Sequence, residues 1–176
     1  MKPQQSRKRQ FLKAGTAVLL FATSRFASAL PEATRPARLP AIKLNAMVGS
    51  PIQLDSAQGK VVMVNFWATW CPPCRAEMPS IEKLYQSLKG SEFEVLGINQ
   101  GESAEKIVAK MGMFNPPPTF PILLDPSREV GKYFGVEDLP LTLIFNKMGQ
   151  LVGRADGARD FNSPTIRQRV AELLAE

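Results

Sequence analysis

Histidine is missing from the 176-residue sequence, and cysteine occurs only twice, at Cys71 and Cys74. A tetrahedral zinc site therefore lacks its usual donors, since beyond two thiolates only carboxylates remain. Acidic residues are absent from positions 1–29, which hold Lys2, Arg7, Lys8, Arg9, Lys13 and Arg25. With those six set aside, sixteen basic residues face sixteen acidic ones, so the formal charge of +6 belongs to the N-terminal segment. The body is formally neutral, and a nucleic-acid-binding role loses its main support. The whole sequence is 44% hydrophobic and 22% charged, enough to close one core without disulfide or metal staples.

The basic segment has the layout of an export signal. A basic stretch to Lys13 is followed by the apolar run from Ala14 to Ala22, and Ala27-Ser28-Ala29 supplies the small residues of a cleavage site. The apolar run is too short to span a bilayer, which needs about 20 residues, so an uncleaved anchor is not expected. The alternative is an amphipathic N-terminal helix of the mature protein. Arg7-Lys8-Arg9-Gln10-Phe11-Leu12-Lys13 also resembles a twin-arginine signal, with Lys8 in the place of the first paired arginine. The predicted organisation is an export signal at 1–29, a proline-containing linker at 30–40 and a folded domain at 41–176, delivered to the bacterial periplasm.

Within 41–176 the spacing predicts a mixed α/β domain. Short apolar stretches between Ala41 and Lys60 suggest a hairpin. Val61 to Trp67 is a near-continuous apolar run, as in a central strand buried on both faces. Met78, Ile81, Leu84, Tyr85 and Leu88 recur at helical spacing over Pro72–Lys89, with Pro79 expected to kink that helix. Further elements are expected as a strand at Phe93–Asn99, a helix at Ser103–Met113 and a strand at Phe120–Leu124. A helical segment near Arg128–Phe134, a hairpin about Lys147-Met148-Gly149-Gln150 and a last helix capped by Ser163 complete the series.

The two cysteines close only four residues, which as a pure staple is worth about 2 kcal/mol, against ~4.7 for a 100-residue loop. Position makes redox chemistry the stronger reading. The pair follows a buried strand and opens a helix, so unpaired N–H groups favour a Cys71 thiolate, with a pKa lowered from ~8.5 toward roughly 7. Pro72 and Pro73 are tolerated because first-turn N–H groups lack intrahelical partners. Cys71 then attacks a substrate disulfide, and the more buried Cys74 resolves the mixed disulfide. A Cu(I) carrier remains as an alternative, with Met63 or Met78 assisting the two thiolates.

The run Asn65-Phe66-Trp67-Ala68-Thr69-Trp70-Cys71-Pro72-Pro73-Cys74-Arg75-Ala76-Glu77-Met78-Pro79 closely resembles the active-site signature of the TlpA/ResA-like thioredoxins. The likeness continues through Val95-Leu96-Gly97-Ile98-Asn99 and Leu139-Pro140-Leu141-Thr142, and covers about residues 40–175. It implies a thioredoxin-like fold, a central mixed sheet flanked by helices, with an N-terminal hairpin and a helix–strand insertion. It also implies a cis Pro140 against the dithiol and a Leu139 backbone that pairs with substrate. Trp70, Pro72 and Pro73 would complete the substrate-facing rim, with Trp70 shielding Cys71 and Trp67 in the core; Thr69 has a weaker claim. Asn65 stands where thioredoxins bury an acid, and Glu77, one helical turn after Cys74, is assigned as the acid/base for the Cys74 proton. The alternative for Glu77 is a solvated surface carboxylate.

Strong oxidants of this fold carry His between the cysteines, so the resemblance favours a reductase. Its implied substrates are apocytochrome c or copper-site cysteines, with a membrane thiol electron donor. A monomer is expected, with no cofactor beyond the dithiol and no resident metal. A thiol peroxidase is disfavoured, because Ala68 occupies the place of the Thr or Ser such enzymes set three residues before the reactive Cys.

Overall fold

A computed structural model describes residues 38–176. The export signal expected at 1–29, and the linker as far as residue 37, lie outside the described residues. Arg38 and Leu39, just before the domain start expected at 41, make contacts with it. Arg38 bridges Gln150 in antiparallel fashion, the Leu39 N–H donates to the Gly149 carbonyl at 3.1 Å, and the Leu39 side chain is buried. A buried leucine and a paired backbone outweigh the turn-forming tendency of Pro40.

The chain order is β1 (Lys43–Ala46), β2 (Ile52–Gln53), β3 (Val61–Trp67), α1 (Pro72–Ser87), β4 (Phe93–Gln100), α2 (Ala104–Lys110), β5 (Ile122–Asp125), α3 (Glu129–Tyr133), β6 (Leu141–Phe145), β7 (Leu151–Asp156) and α4 (Pro164–Ala175). The strands form one mixed sheet in the order β2-β1-β5-β4-β3-β6-β7. The central strands β5, β4 and β3 run parallel, while β6, β7, β1 and β2 pair antiparallel. This is the α/β architecture expected from the sequence, with the hairpin at 41–60 formed by β1 and β2.

All seven residues of β3 are buried because the strand is central and covered on both faces. Its side chains alternate between two cores. Val61, Met63 and Trp67 join Met78 and Ile81 of α1 and Ile166, Val170 and Leu173 of α4. Val62, Val64 and Phe66 join Val130 and Phe134 on the other face. Asn65 shares the parity of Met63 and Trp67, which aims it at α1 and the site.

Of three local expectations, two shift and one holds. The strand expected at Phe120–Leu124 begins at Ile122, since Pro121 has no N–H for a ladder; its carbonyl accepts from Gly97 N–H at 2.9 Å. Helix α1 runs through Pro79 as the apolar periodicity required. Ser163 takes the N-cap position of α4 with extended backbone, but its hydroxyl makes no capping hydrogen bond.

Gly97 in β4 admits the Phe120 ring at close range. A Cβ there would lie 2.8 Å from Phe120 Cε2 and 3.3 Å from Trp67 Nε1. Gly97→Ala is therefore expected to cost about 1–3 kcal/mol through overpacking, read as a lower midpoint in urea unfolding. An unchanged midpoint would show that the two rings move aside freely.

Candidate active site

β3 delivers the chain to the carboxyl edge of the sheet, and Ala68 to Cys71 form the turn into α1. Cys71 is the N-cap of α1, with extended backbone (φ −87°, ψ 107°), and its Sγ accepts the Cys74 N–H at 3.2 Å. Pro72 and Pro73 occupy the first helical positions, where the missing N–H groups cost nothing. Cys71 and Cys74 are joined as a disulfide with Cα atoms 5.3 Å apart. Cys71 is 3% exposed and Cys74 fully buried, which is the asymmetry expected of an attacking and a resolving sulfur. When the bond opens, the donor that already faces Cys71 Sγ and the helix end both favour a thiolate there.

Around the sulfurs, Pro72 and Pro73 are exposed. Trp67 is fully buried and stacks edge-on to Phe114, with centroids 5.6 Å apart. Trp70, expected to shield Cys71, is 61% exposed. Thr69 and Trp70 lie in a turn closed by the Cys71 N–H on the Ala68 carbonyl at 3.3 Å, with the Thr69 side chain turned inward to a buried carboxylate.

Glu77 is 3% exposed rather than solvated. Its Oε1 accepts from Asn65 Nδ2 at 2.8 Å and its Oε2 from the Arg159 backbone N–H at 3.2 Å. Burial pushes its pKa up to about 7, against the opposing pull of the Asn65 and Arg159 hydrogen bonds and the Arg159 charge. A carboxyl poised near neutrality can both take and return a proton. Asn65 Nδ2 also donates to Thr142 Oγ1 at 2.9 Å, which links α1, β3 and β6 through one buried amide. A cleft of about 480 Å³, lined by Glu77, Pro79, Ser80, Lys83, Arg159 and Asn162, opens beside this carboxyl.

The Leu139–Pro140 peptide is cis, and Pro140 is buried at the start of β6, two residues before Thr142. Leu139 is half-buried and its side chain packs against both cores. The Asn115–Pro116 peptide is also cis, which the sequence did not indicate. Met63 and Met78, the methionines suggested for copper, are fully buried in the apolar cluster that also holds the cysteines. Among the described residues no group of three or more His, Cys, Asp or Glu side chains could hold a metal ion.

The sequence reading missed Glu102, which lies just past β4 and is 7% exposed. Its Oε2 accepts the Thr69 N–H at 2.7 Å and Asn99 Nδ2 at 2.8 Å, while its Oε1 accepts Thr69 Oγ1 at 2.6 Å. Burial pushes its pKa up, but these three donors and the Lys106 charge together hold the carboxyl below its usual value. The available signal was the polar run Asn99-Gln100-Gly101-Glu102-Ser103 at the carboxyl end of a parallel strand, where sites assemble in open α/β sheets.

A family model described as AhpC/TSA matches residues 37–154. The chain is 36% identical over 112 residues to the thiol-disulfide oxidoreductase ResA of Halalkalibacterium halodurans, covering 62% of this chain and 61% of that protein. It is 38% identical over 104 residues to ResA of Bacillus subtilis, covering 59% and 57%. The match thus spans about three fifths of the length of these curated relatives. Among solved structures, a thiol:disulfide interchange protein of the thioredoxin family from Chlorobium tepidum superposes with a TM-score of 0.66 at 25% identity, covering 81% of this chain and 99% of that one.

Proposed function

The chain belongs to the AhpC/TSA family, and from that premise we propose that it is a thiol–disulfide oxidoreductase working in the reducing direction on disulfides of exported proteins. The observation that carries this reading is the Cys71–Cys74 pair at the start of α1, with Cys71 Sγ accepting a helix N–H and a buried Glu77 one turn beyond Cys74.

In the reduced protein the Cys71 thiolate attacks one sulfur of a substrate disulfide. A Cys71–substrate S–S bond forms and the other substrate sulfur leaves as a thiolate. Glu77, as its carboxylate, takes the Cys74 proton, and Cys74 then attacks Cys71 Sγ. The Cys71–Cys74 bond forms, the second substrate sulfur leaves and receives the proton, and two electrons have passed to the substrate. A dithiol donor restores the pair by the reverse exchange, and a membrane thiol carrier suits an exported protein. Trp70, Pro72, Pro73 and the Leu139 backbone offer the exposed rim to an extended substrate segment. Apocytochrome c or copper-site cysteines fit as substrates. The periplasmic location rests on the leader at 1–29. The absence of His and the presence of Ala68 three residues before Cys71 favour disulfide reduction over strong oxidation or peroxide chemistry.

Two measurements test this. In excess dithiothreitol the protein is expected to reduce insulin disulfides catalytically, and equilibration with glutathione should place the dithiol below about −200 mV. A potential near about −120 mV, where strong oxidants of this fold lie, would overturn the direction. Failure to exchange with insulin at all would overturn the activity.

A further inference from the structure

We propose that Glu102 is a positioning residue: it fixes the Thr69–Cys71 turn and, through the Thr69 carbonyl, holds Arg75 beside the first turn of α1. This inference rests on the dithiol reading above and extends it to a residue that touches neither sulfur.

Thr69 is 3% exposed and stands two residues before Cys71. All three of its polar groups are engaged. Glu102 accepts its backbone N–H and its hydroxyl, as described above, and its carbonyl accepts from Arg75 Nη1 at 3.1 Å. The Thr69 peptide therefore has no freedom to rotate while Glu102 is in place. Asn99 Nδ2 steadies the carboxylate from β4, so the clamp is anchored to the sheet rather than to the loop it holds. The chain from β4 through Glu102 and Thr69 to Arg75 ends with a guanidinium at the helix end that carries Cys71. A turn fixed at one residue fixes the direction of the next two. That keeps Trp70 outward and Cys71 at the N-cap.

The charged groups bearing on this end are Glu102 itself, Lys106 of α2, Arg75 and Glu77 of α1. Removing Glu102 therefore has two opposed consequences for Cys71. Loss of an anion favours its thiolate. Loss of the clamp frees both the turn and Arg75, and disfavours it. Glu102→Gln separates the two. Its amide oxygen can take the Oε2 place and accept from Thr69 N–H and Asn99 Nδ2, while its NH2 donates to Thr69 Oγ1, so the clamp survives without the charge.

The experiment reads the pH profile of Cys71 alkylation by iodoacetamide in the reduced full-length protein, with the labelled cysteine identified by mass spectrometry. Glu102→Ala is expected to slow alkylation near neutral pH by about tenfold, equivalent to about one unit in apparent pKa. Glu102→Gln is expected to stay within about twofold of the parent, since three hydrogen bonds are retained. A parental profile for Glu102→Ala overturns the proposal. An equal slowing in both variants also overturns it, because the hydrogen bonds kept by Glu102→Gln would then not be what supports the thiolate. If Glu102→Ala fails to fold, Thr69→Val carries the test: it deletes the hydroxyl leg, and about threefold slower alkylation is expected. A parental profile in Thr69→Val then overturns it. Alkylation needs no protein substrate, so inactivity of the parent toward insulin would sink the functional reading while leaving this result distinct.

Discussion

Cys71→Ala is expected to reduce insulin reduction to the rate of dithiothreitol alone, whereas Cys74→Ala is expected to accumulate a mixed disulfide on Cys71. The asymmetry follows from the helix end. Only Cys71 Sγ sits at the N-cap, accepting an N–H and facing the unpaired donors of the first turn, and only Cys71 has any exposed surface. Cys74 lies buried one turn in, where a thiol is held neutral until its partner sulfur is already in a mixed disulfide. With Cys74 removed the first exchange still proceeds and the second cannot, so substrate stays attached. Non-reducing electrophoresis of the exported fraction, followed by identification of the captured proteins, reads both results. Capture on Cys74 in the Cys71→Ala variant at a comparable yield would reverse the assigned roles. The captured proteins would also name the substrates directly.

Glu77→Gln is expected to change both the pH profile of exchange and the pH dependence of stability. For exchange, loss of the buried base should slow resolution of the mixed disulfide by about 10²-fold near neutral pH and remove the inflection near pH 7. For stability the sign follows from the raised pKa. The folded protein holds the Glu77 proton up to about pH 7, the unfolded chain only to about 4.5. The stabilisation from that retained proton is complete below about pH 4.5 and is lost as pH rises through about 7. It is on the order of 3 kcal/mol.

The glutamine cannot ionise and escapes that loss, but its amide nitrogen cannot accept the Arg159 N–H, a deficit of about 1 kcal/mol. The variant should therefore be about 2 kcal/mol more stable than the parent at pH 8 and about 1 kcal/mol less stable at pH 4. Urea unfolding of the oxidised proteins at the two pH values measures the crossover. Parallel stability curves across this range would mean that Glu77 does not change ionisation on folding.

The sequence carried the parts of this site that depend on neighbours close along the chain. The run Val61–Trp67 marked a strand covered on both faces, because six apolar residues of seven, broken only by Asn65, leave no side for water. Cysteine spacing after that strand placed one sulfur at a helix end and the other a turn inside. The three-residue step from Cys74 to Glu77 put the carboxyl on the same side of the helix. Local chemistry also explains the strand start that shifted: Pro121 has no donor, and the pattern of apolar residues alone did not register that.

What the sequence determined by itself was the dithiol, its position at the head of a helix and the mixed α/β class, since each depends on periodicity and spacing within about one element. The tertiary structure decided the electrostatics. Glu77 is buried because β3 supplies Asn65 and the segment after β7 supplies Arg159, partners 12 and 82 residues away. The Cys71 turn is held by Glu102, whose contacts with Thr69 span 33 residues. No local pattern encodes contacts of that separation. They arise only when the packing of strands and helices brings distant segments to one edge of the sheet, where the dithiol turn is built.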